Sequence, residues 1–372
     1  MTMPSLQRLR VHAIAHSLFP PTTLKAAVHR LAFVQADPIR SPARAQDLIL
    51  RHRVKAYRAG DLERRYASLH LEGDVLYAYG FLPRTIWRLL HPRETTGLSD
   101  LEKNVLDTVC RCGEMHPRAL AAYFERERVI NAWGGYSQAT KRALEALHAL
   151  GLLRVAGREH GIRVYEAASP STDLMPASER VRKLVMVIAH ILAPVPDRSL
   201  QEALAPLRRS CPGLGNTRTV VGELLRTGEL QQQTIDGLTY VWPPDTIVHE
   251  EVPRRVRFLA PFDPLVWDRR RFEHLWRWPY RCEAYTPPAK RLRGYYAMPL
   301  LWGDSIIGCA NARVTGGHLN VEFGCVDKRP QDDNFRAELE AEIGRLATFL
   351  NVQQVSGVAA QLVDNESLCR TS

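Results

Sequence analysis

Gln35 and Asp37, separated by Ala36 and followed by Pro38, are the residues of this sequence best placed to handle a water molecule. A proline disfavours helical backbone at the residue before it, so the chain at Asp37 is expected to be extended. Side chains two apart on an extended chain share a face, which turns Gln35 and Asp37 to one side and Ala36 into the packing behind them. A carboxylate placed this way can take a proton from water while the neighbouring amide orients it. The same residues also have a reading without chemistry. Asp-Pro is a good helix start, an N-cap followed by proline at the first helical position, and Gln35 can bond to backbone. Ser41-Pro42 offers the same start signal four residues on, which makes Asp37 partly redundant as a cap.

Basic residues gather around this turn and again late in the chain. Arg40, Arg44, Arg51, Arg53, Lys55 and Arg58 follow the motif, either as a solvated helix face or as phosphate contacts. Between Trp267 and Arg281, cations (Arg269, Arg270, Arg271, Arg277) interleave with aromatics (Trp276, Trp278, Tyr280). Most of these tryptophans read as core, and the arginines as contacts to phosphate or stacked bases. Residues 312–321, with Gly316-Gly317 at the tip, read as a hairpin able to probe a duplex.

The whole chain leans the same way. It carries 50 Lys and Arg against 40 Asp and Glu, a net charge of +10, and a pI near 9.4. Only seven of the 50 are Lys; a GC-rich genome accounts for that preference but not for the charge excess. An excess of cations favours a polyanionic partner, because phosphate neutralisation releases counterions. No apolar run approaches the ~18 residues of a membrane helix. Residues 1–10 lack the apolar core of a signal peptide, so a cytoplasmic protein without membrane contact is expected. Seven Cys form no even framework, and Cys110 and Cys112 lack the further ligands of a zinc site. Nothing calls for a cofactor.

The elements that must position these groups follow from periodicity. Leu6 to Leu18, Thr22 or Thr23 to Ala32 or Phe33, and a stretch opening at Ser41-Pro42 and running through Leu50 read as helices, making the first ninety-odd residues mostly helical. From 98 to 167 a helix capped by Ser99 with Glu102 is followed by one opening at His116-Pro117. A third runs from Ser137 or Thr140 to Leu150, and a hairpin closes the unit. Helix, helix, helix, hairpin is the winged-helix order, and 178–243 repeats it, with Asp236-Gly237 turning the second wing. Lys141 and Arg142 open the third helix of the first copy, which stacking of such units can bury. Past Pro253, short strands around 294–301, 305–314 and 318–326 and a helix over 335–350 read as a small β-barrel-like domain. The expected class is α+β, with tandem winged helices ahead of a small C-terminal β-barrel-like domain. The expected divisions are 1–95, 96–175, 176–250 and 251–355, with a flexible tail at 356–372.

Two stretches carry a family resemblance. Phe33-Val34-Gln35-Ala36-Asp37-Pro38-Ile39-Arg40 with Ala43-Arg44-Ala45-Gln46-Asp47-Leu48 resembles the YcaQ/AlkZ-type crosslink-repair DNA glycosylases. Leu259 to Arg269, Tyr285-Thr286-Pro287-Pro288-Ala289-Lys290-Arg291 and Gly294-Tyr295-Tyr296 look like that family's C-terminal signature. The resemblance implies a monomeric, cofactor-free bacterial hydrolase acting near the nucleoid, its substrate duplex DNA with alkylated purines. It implies release of N7-alkylated guanine and unhooking of interstrand crosslinks, with Gln35 and Asp37 matching the family's catalytic pair. Arg40, Arg44, Arg51, Arg53, Lys55, Arg269, Arg270, Arg271, Lys290 and Arg291 are then the candidate DNA contacts. Ala36 is smaller than the residue usual in the middle of the motif, and 71–80 lacks a Trp-Ala-His-Glu-like run common in relatives. A non-enzymatic winged-helix regulator would account for charge and fold equally well.

Overall fold

The computed structural model describes residues 5–95, 97–124, 128–130, 136–159, 161–169, 175–244, 251–325 and 330–356. The expected tail lies almost wholly outside them. The chain falls into two compact units: residues 1–62, 186–203 and 221–372, and residues 63–185 with 204–220.

The first unit is built on a five-stranded sheet that curls into a half-barrel. Its strands are Val256–Phe258, Met298–Trp302, Ser305–Thr315, His318–Cys325 and Gln354–Ser356, in that order. All neighbours are antiparallel except the last pair, which the helix Asp333–Leu350 joins by a crossover. A register shift at Leu300/Leu301 adds local twist. Gly308 lies so close to the next strand that a Cβ there would sit 1.9 Å from the carbonyl oxygen of Gly324. The N-terminal helix Leu6–Ser17, capped by Ser5, lays Leu9, Ala13 and Ile14 into one core with Phe272, Leu275, Trp276, Trp278 and Leu301. Trp276 and Trp278 are therefore core, as expected for most tryptophans of that stretch.

Leu24–Leu31 forms the second helix, with the Thr23 hydroxyl accepting the amide of Ala26 and Ala32 leaving it at φ 61°. The third corrects the sequence reading. It spans Ala45–Leu50, three residues past Ser41-Pro42, with Arg44 at its N-cap position. All six of its residues are buried, so tertiary packing, rather than the proline signal, sets where it begins. Also in this unit, Gln231–Ile235 pairs with Leu238–Trp242 across Asp236 (φ 47°) and Gly237 (φ 79°), the two left-handed residues a tight hairpin needs. Val195–Pro196 adds a third strand beside Leu238–Trp242.

The second unit departs from the mostly helical expectation. Leu71–Val75 and Tyr79–Pro83 form a β-hairpin whose carboxylates are structural. Glu72 is fully buried against Arg84 at 2.8 Å, and Asp74 accepts from His91 at 2.7 Å and Arg93 at 2.8 Å. The hydrogen bond from His91 holds the Asp74 carboxyl below its ordinary range despite its burial, which opposes it. Asp100–Cys112 follows, closed by the expected Ser99–Glu102 capping box. Ser99→Ala should lower the unfolding free energy by about 1 kcal/mol, readable in a urea titration. The helix at His116-Pro117 lasts one turn, Pro117–Leu120. Arg128–Ile130 and Tyr136–Gln138 then pair as strands, while Gly134-Gly135 lies outside the described residues. Ala139–Ala149 and the hairpin Leu153–Glu159/Ile162–Ala167 complete the stretch near the expected bounds.

Candidate active site

Gln35 ends the short strand Val34–Gln35, behind which Phe33 and Val34 are completely buried. Two residues on, Asp37 is half-buried, and its two oxygens do different work. Oδ1 accepts the amide of Ile39 at 2.8 Å, an Asx turn that reverses the chain at Pro38. Oδ2 accepts the hydroxyl of Tyr285 at 3.1 Å, from a residue 248 positions away. The capping reading is thus met locally, since the carboxylate does close a turn, but no helix starts there. Each oxygen has one donor, while a carboxylate has about four lone-pair sites, so both can still take a further donor such as water. Gln35 Oε1 is buried with no hydrogen-bond partner among the described residues. An orphaned buried acceptor costs free energy, which a bound donor would offset. Ala36 is half-buried rather than sealed in the packing.

Tyr285 sits on a loop between the helix Arg269–Trp276 and the strand Met298–Trp302, and the loop is tied down from inside. The Tyr280 hydroxyl donates to the carbonyl of Ala297 at 2.6 Å across its base. Buried Glu283 accepts three successive backbone amides, Leu292, Arg293 and Gly294, at 2.9, 2.8 and 3.2 Å. Arg291 donates to the carbonyl of Thr286 at 2.8 Å, and Asn311 to that of Arg293 at 2.7 Å. Gly294, at φ 113°, passes where a Cβ would come within 2.6 Å of the Asn311 side chain. A loop with so many internal partners presents Tyr285 in a defined place.

The charge of Asp37 is felt throughout this corner. Burial first, and then Asp37, push the Tyr285 hydroxyl up; burial, Cys282 and then Asp37 do the same to Tyr296. Cys282 is likewise pushed up by burial and by Asp37, with Arg269 opposing, so its thiol stays protonated near neutrality. Among the described residues no ion pair engages Asp37.

The expected DNA contacts divide sharply. Arg40, Lys55, Arg269 and Lys290 are exposed, and Arg44 and Arg291 half-buried. Arg270 spends its guanidinium on Ser199 at 2.7 Å and Glu202 at 3.2 Å. Three others are interior and are corrected from phosphate ligands to framework. Arg53 is fully buried and makes five hydrogen bonds, to the carbonyl and hydroxyl of Ser17, the carbonyl of Ile49 and both oxygens of Asp263. Arg51 pairs with buried Glu342 and the carbonyl of Phe258, and Arg271 with the carbonyls of Leu192 and Pro264. Each cation is enclosed because the surrounding backbone needs its donors. Tyr285 was visible in the sequence only as the first residue of the Tyr-Thr-Pro-Pro stretch; no spacing rule joins it to Asp37.

An α+β unit carrying a held carboxylate beside an exposed aromatic loop and exposed cations fits an enzyme that acts on DNA. The chain belongs to the AlkZ-like DNA glycosylase family, whose pattern matches over residues 28–349. Its fold is similar to that of the Streptomyces sahachiroi DNA glycosylase AlkZ, with a TM-score of 0.64 at 14% sequence identity. That likeness covers 95% of this chain and 99% of the other. Among the described residues no helix is long and apolar enough to cross a membrane.

Proposed function

We propose that this glycosylase hydrolyses the N-glycosidic bond of N7-alkylated guanine in duplex DNA, acting as a monofunctional hydrolase on monoadducts and on interstrand crosslinks. The observation that carries this reading is the Asp37 carboxylate, fixed by Ile39 and Tyr285 and paired with no cation among the described residues. Alkylation at N7 leaves the guanine positively charged, so it departs without protonation by a general acid. Water oxygen bonds to C1′, the C1′–N9 electron pair goes to the purine and neutralises it, and Asp37 takes the proton. Before attack is complete, the same carboxylate stabilises the sugar's oxocarbenium character, as carboxylates do in glycosidases. Gln35 orients the water through the oxygen that has no partner among the described residues. Neither residue requires a metal or a cofactor.

We propose further that residues 96–175 and 176–250 act as winged helices against the duplex, with the hairpin Ser305–Thr315/His318–Cys325 probing it beside the site. Residues 1–95 and 251–355 would hold the motif and the β-rich domain of a monomer working on DNA in the bacterial cytoplasm. Arg40, Arg44, Lys55, Arg269, Lys290 and Arg291 are the phosphate contacts in this reading. Arg269→Ala with Lys290→Ala should weaken duplex binding and lower the slope of log K against log salt by about 1.8, at 0.9 per phosphate contact. An unchanged slope by fluorescence anisotropy would remove these two from the interface.

The enzyme reading is tested by incubating the protein with duplexes carrying N7-methylguanine or a nitrogen-mustard crosslink and measuring released base. Release supports hydrolysis. Tight binding without release from either substrate would leave a non-enzymatic DNA-binding protein.

A further inference from the structure

Large apolar side chains lie open on the surface at only a few places among the described residues, and three of them share the loop at Asp37. Tyr285 is 75% exposed, Leu292 51% and Tyr295 42%. Water-exposed aromatic faces on a rigid loop are unfavourable unless something covers them. The loop cannot fold them away, because Glu283 and Asn311 fix its backbone from beneath. Arg291 already covers one side of Tyr295, with its guanidinium carbon 4.9 Å from the ring centroid.

We propose that Tyr285 and Tyr295 form an aromatic seat for the base of the damaged nucleotide beside Asp37, and that this seat selects a cationic purine over a neutral one. The inference rests on the proposed reaction for the identity of the base, and it adds residues and a basis for selectivity. An enzyme acting at C1′ must reach a nucleotide that duplex stacking shields, and an extruded base needs a replacement stacking surface. Exposed tyrosine faces provide one that tolerates any base. They are not neutral toward charge, since the ring's negative quadrupole attracts a cation lying over it. A purine alkylated at N7 carries that charge in the stacked ring system itself. Tyr285 thereby serves twice, its hydroxyl on Asp37 and its ring on the base, so that seating the base also sets the carboxylate next to the sugar.

The test is a binding measurement that needs no turnover. Two duplexes are compared by anisotropy. One carries 2′-fluoro-N7-methyldeoxyguanosine, whose fluorine slows loss of the base; the other carries its neutral 7-deaza-7-methyl isostere. Wild type should prefer the cationic duplex by about three- to tenfold, the scale of a cation on an aromatic face. Tyr285→Phe should keep that preference. Tyr285→Leu or Tyr295→Leu should cut it, and the double leucine variant combined with Asp37→Asn should bring it close to one, with circular dichroism confirming the fold. Asp37→Asn separates the carboxylate's own attraction from that of the rings. A wild type without preference overturns the seat, as does a folded leucine variant that keeps it. Failure of the seat and failure of the reaction are distinguishable. Base release with a ring-independent preference defeats only the seat; a ring-dependent preference without base release defeats only the hydrolysis.

Discussion

Asp37→Asn is expected to lower single-turnover release of N7-methylguanine by about 10²- to 10⁴-fold, the range a positioned general base contributes, while duplex affinity stays near that of wild type. The substitution keeps the shape of the side chain. Its amide oxygen can still accept the Ile39 amide, so the turn at Pro38 survives. What disappears is the ability to take a proton and to stabilise positive charge on the sugar. Binding to undamaged duplex does not depend on the carboxylate, because a negative charge close to phosphates gives no attraction to the duplex. Gln35→Ala should cost less, since it disturbs the water without removing the proton acceptor. Release can be followed by alkaline cleavage at the resulting abasic site in an end-labelled duplex, with affinity measured on the same preparation. Undiminished release by Asp37→Asn would move the chemistry elsewhere.

The second large effect concerns stability. Asp263→Ala should destabilise the protein by about 3–5 kcal/mol, because it strands a buried guanidinium without its counter-charge. Both members of the Arg53–Asp263 pair are completely buried, and the pairing is bidentate at 2.8 and 2.9 Å. Asp263 also accepts the Leu265 amide at 3.0 Å, capping the helix Pro264–Trp267, so its loss frays that turn as well. Arg53→Met with Asp263→Leu should recover part of the loss. Apolar replacement of a buried pair is often close to neutral, but here the carbonyls of Ser17 and Ile49 lose a donor. Urea titrations of wild type, single and double variants measure each figure. A single variant as stable as wild type would refute this account of Arg53.

Local signals were the legible part of the sequence. The Ser99–Glu102 box, the cap at Thr22 or Thr23, the Asp236-Gly237 turn and the short strands beyond residue 294 depend on neighbours within about four residues. The β-hairpin at Leu71–Pro83 was not read, because Glu72 and Asp74 look like a solvated face in sequence yet are buried, tolerated through Arg84, Arg154, His91 and Arg93. Helix placement at Ala45 failed for a related reason: burial of the whole segment outweighs the proline signal at Pro42. In the site, Gln35 and Asp37 were visible from proline geometry and family resemblance. Arg51, Arg53 and Arg271 were misread, since a basic cluster looks the same in sequence whether it faces phosphate or encloses carbonyl oxygens. Tyr285 was missed because its partner is 248 residues away.

That separation bears on how the protein is made. At roughly 5–20 residues per second, about 12 to 50 s of synthesis separate the appearance of Asp37 from that of Tyr285. The first helix is no better off, since Leu9, Ala13 and Ile14 wait for Phe272, Leu275 and Leu301 to complete their core. The nascent N-terminal segment therefore leaves the ribosome with its apolar face uncovered and its carboxylate without the tyrosine. Glycosylase activity should arise abruptly, late in translation, when the C-terminal sheet closes over the start of the chain. Ribosome-bound chains arrested before residue 285 should be protease-sensitive around residues 6–50, and those arrested well beyond residue 350 resistant.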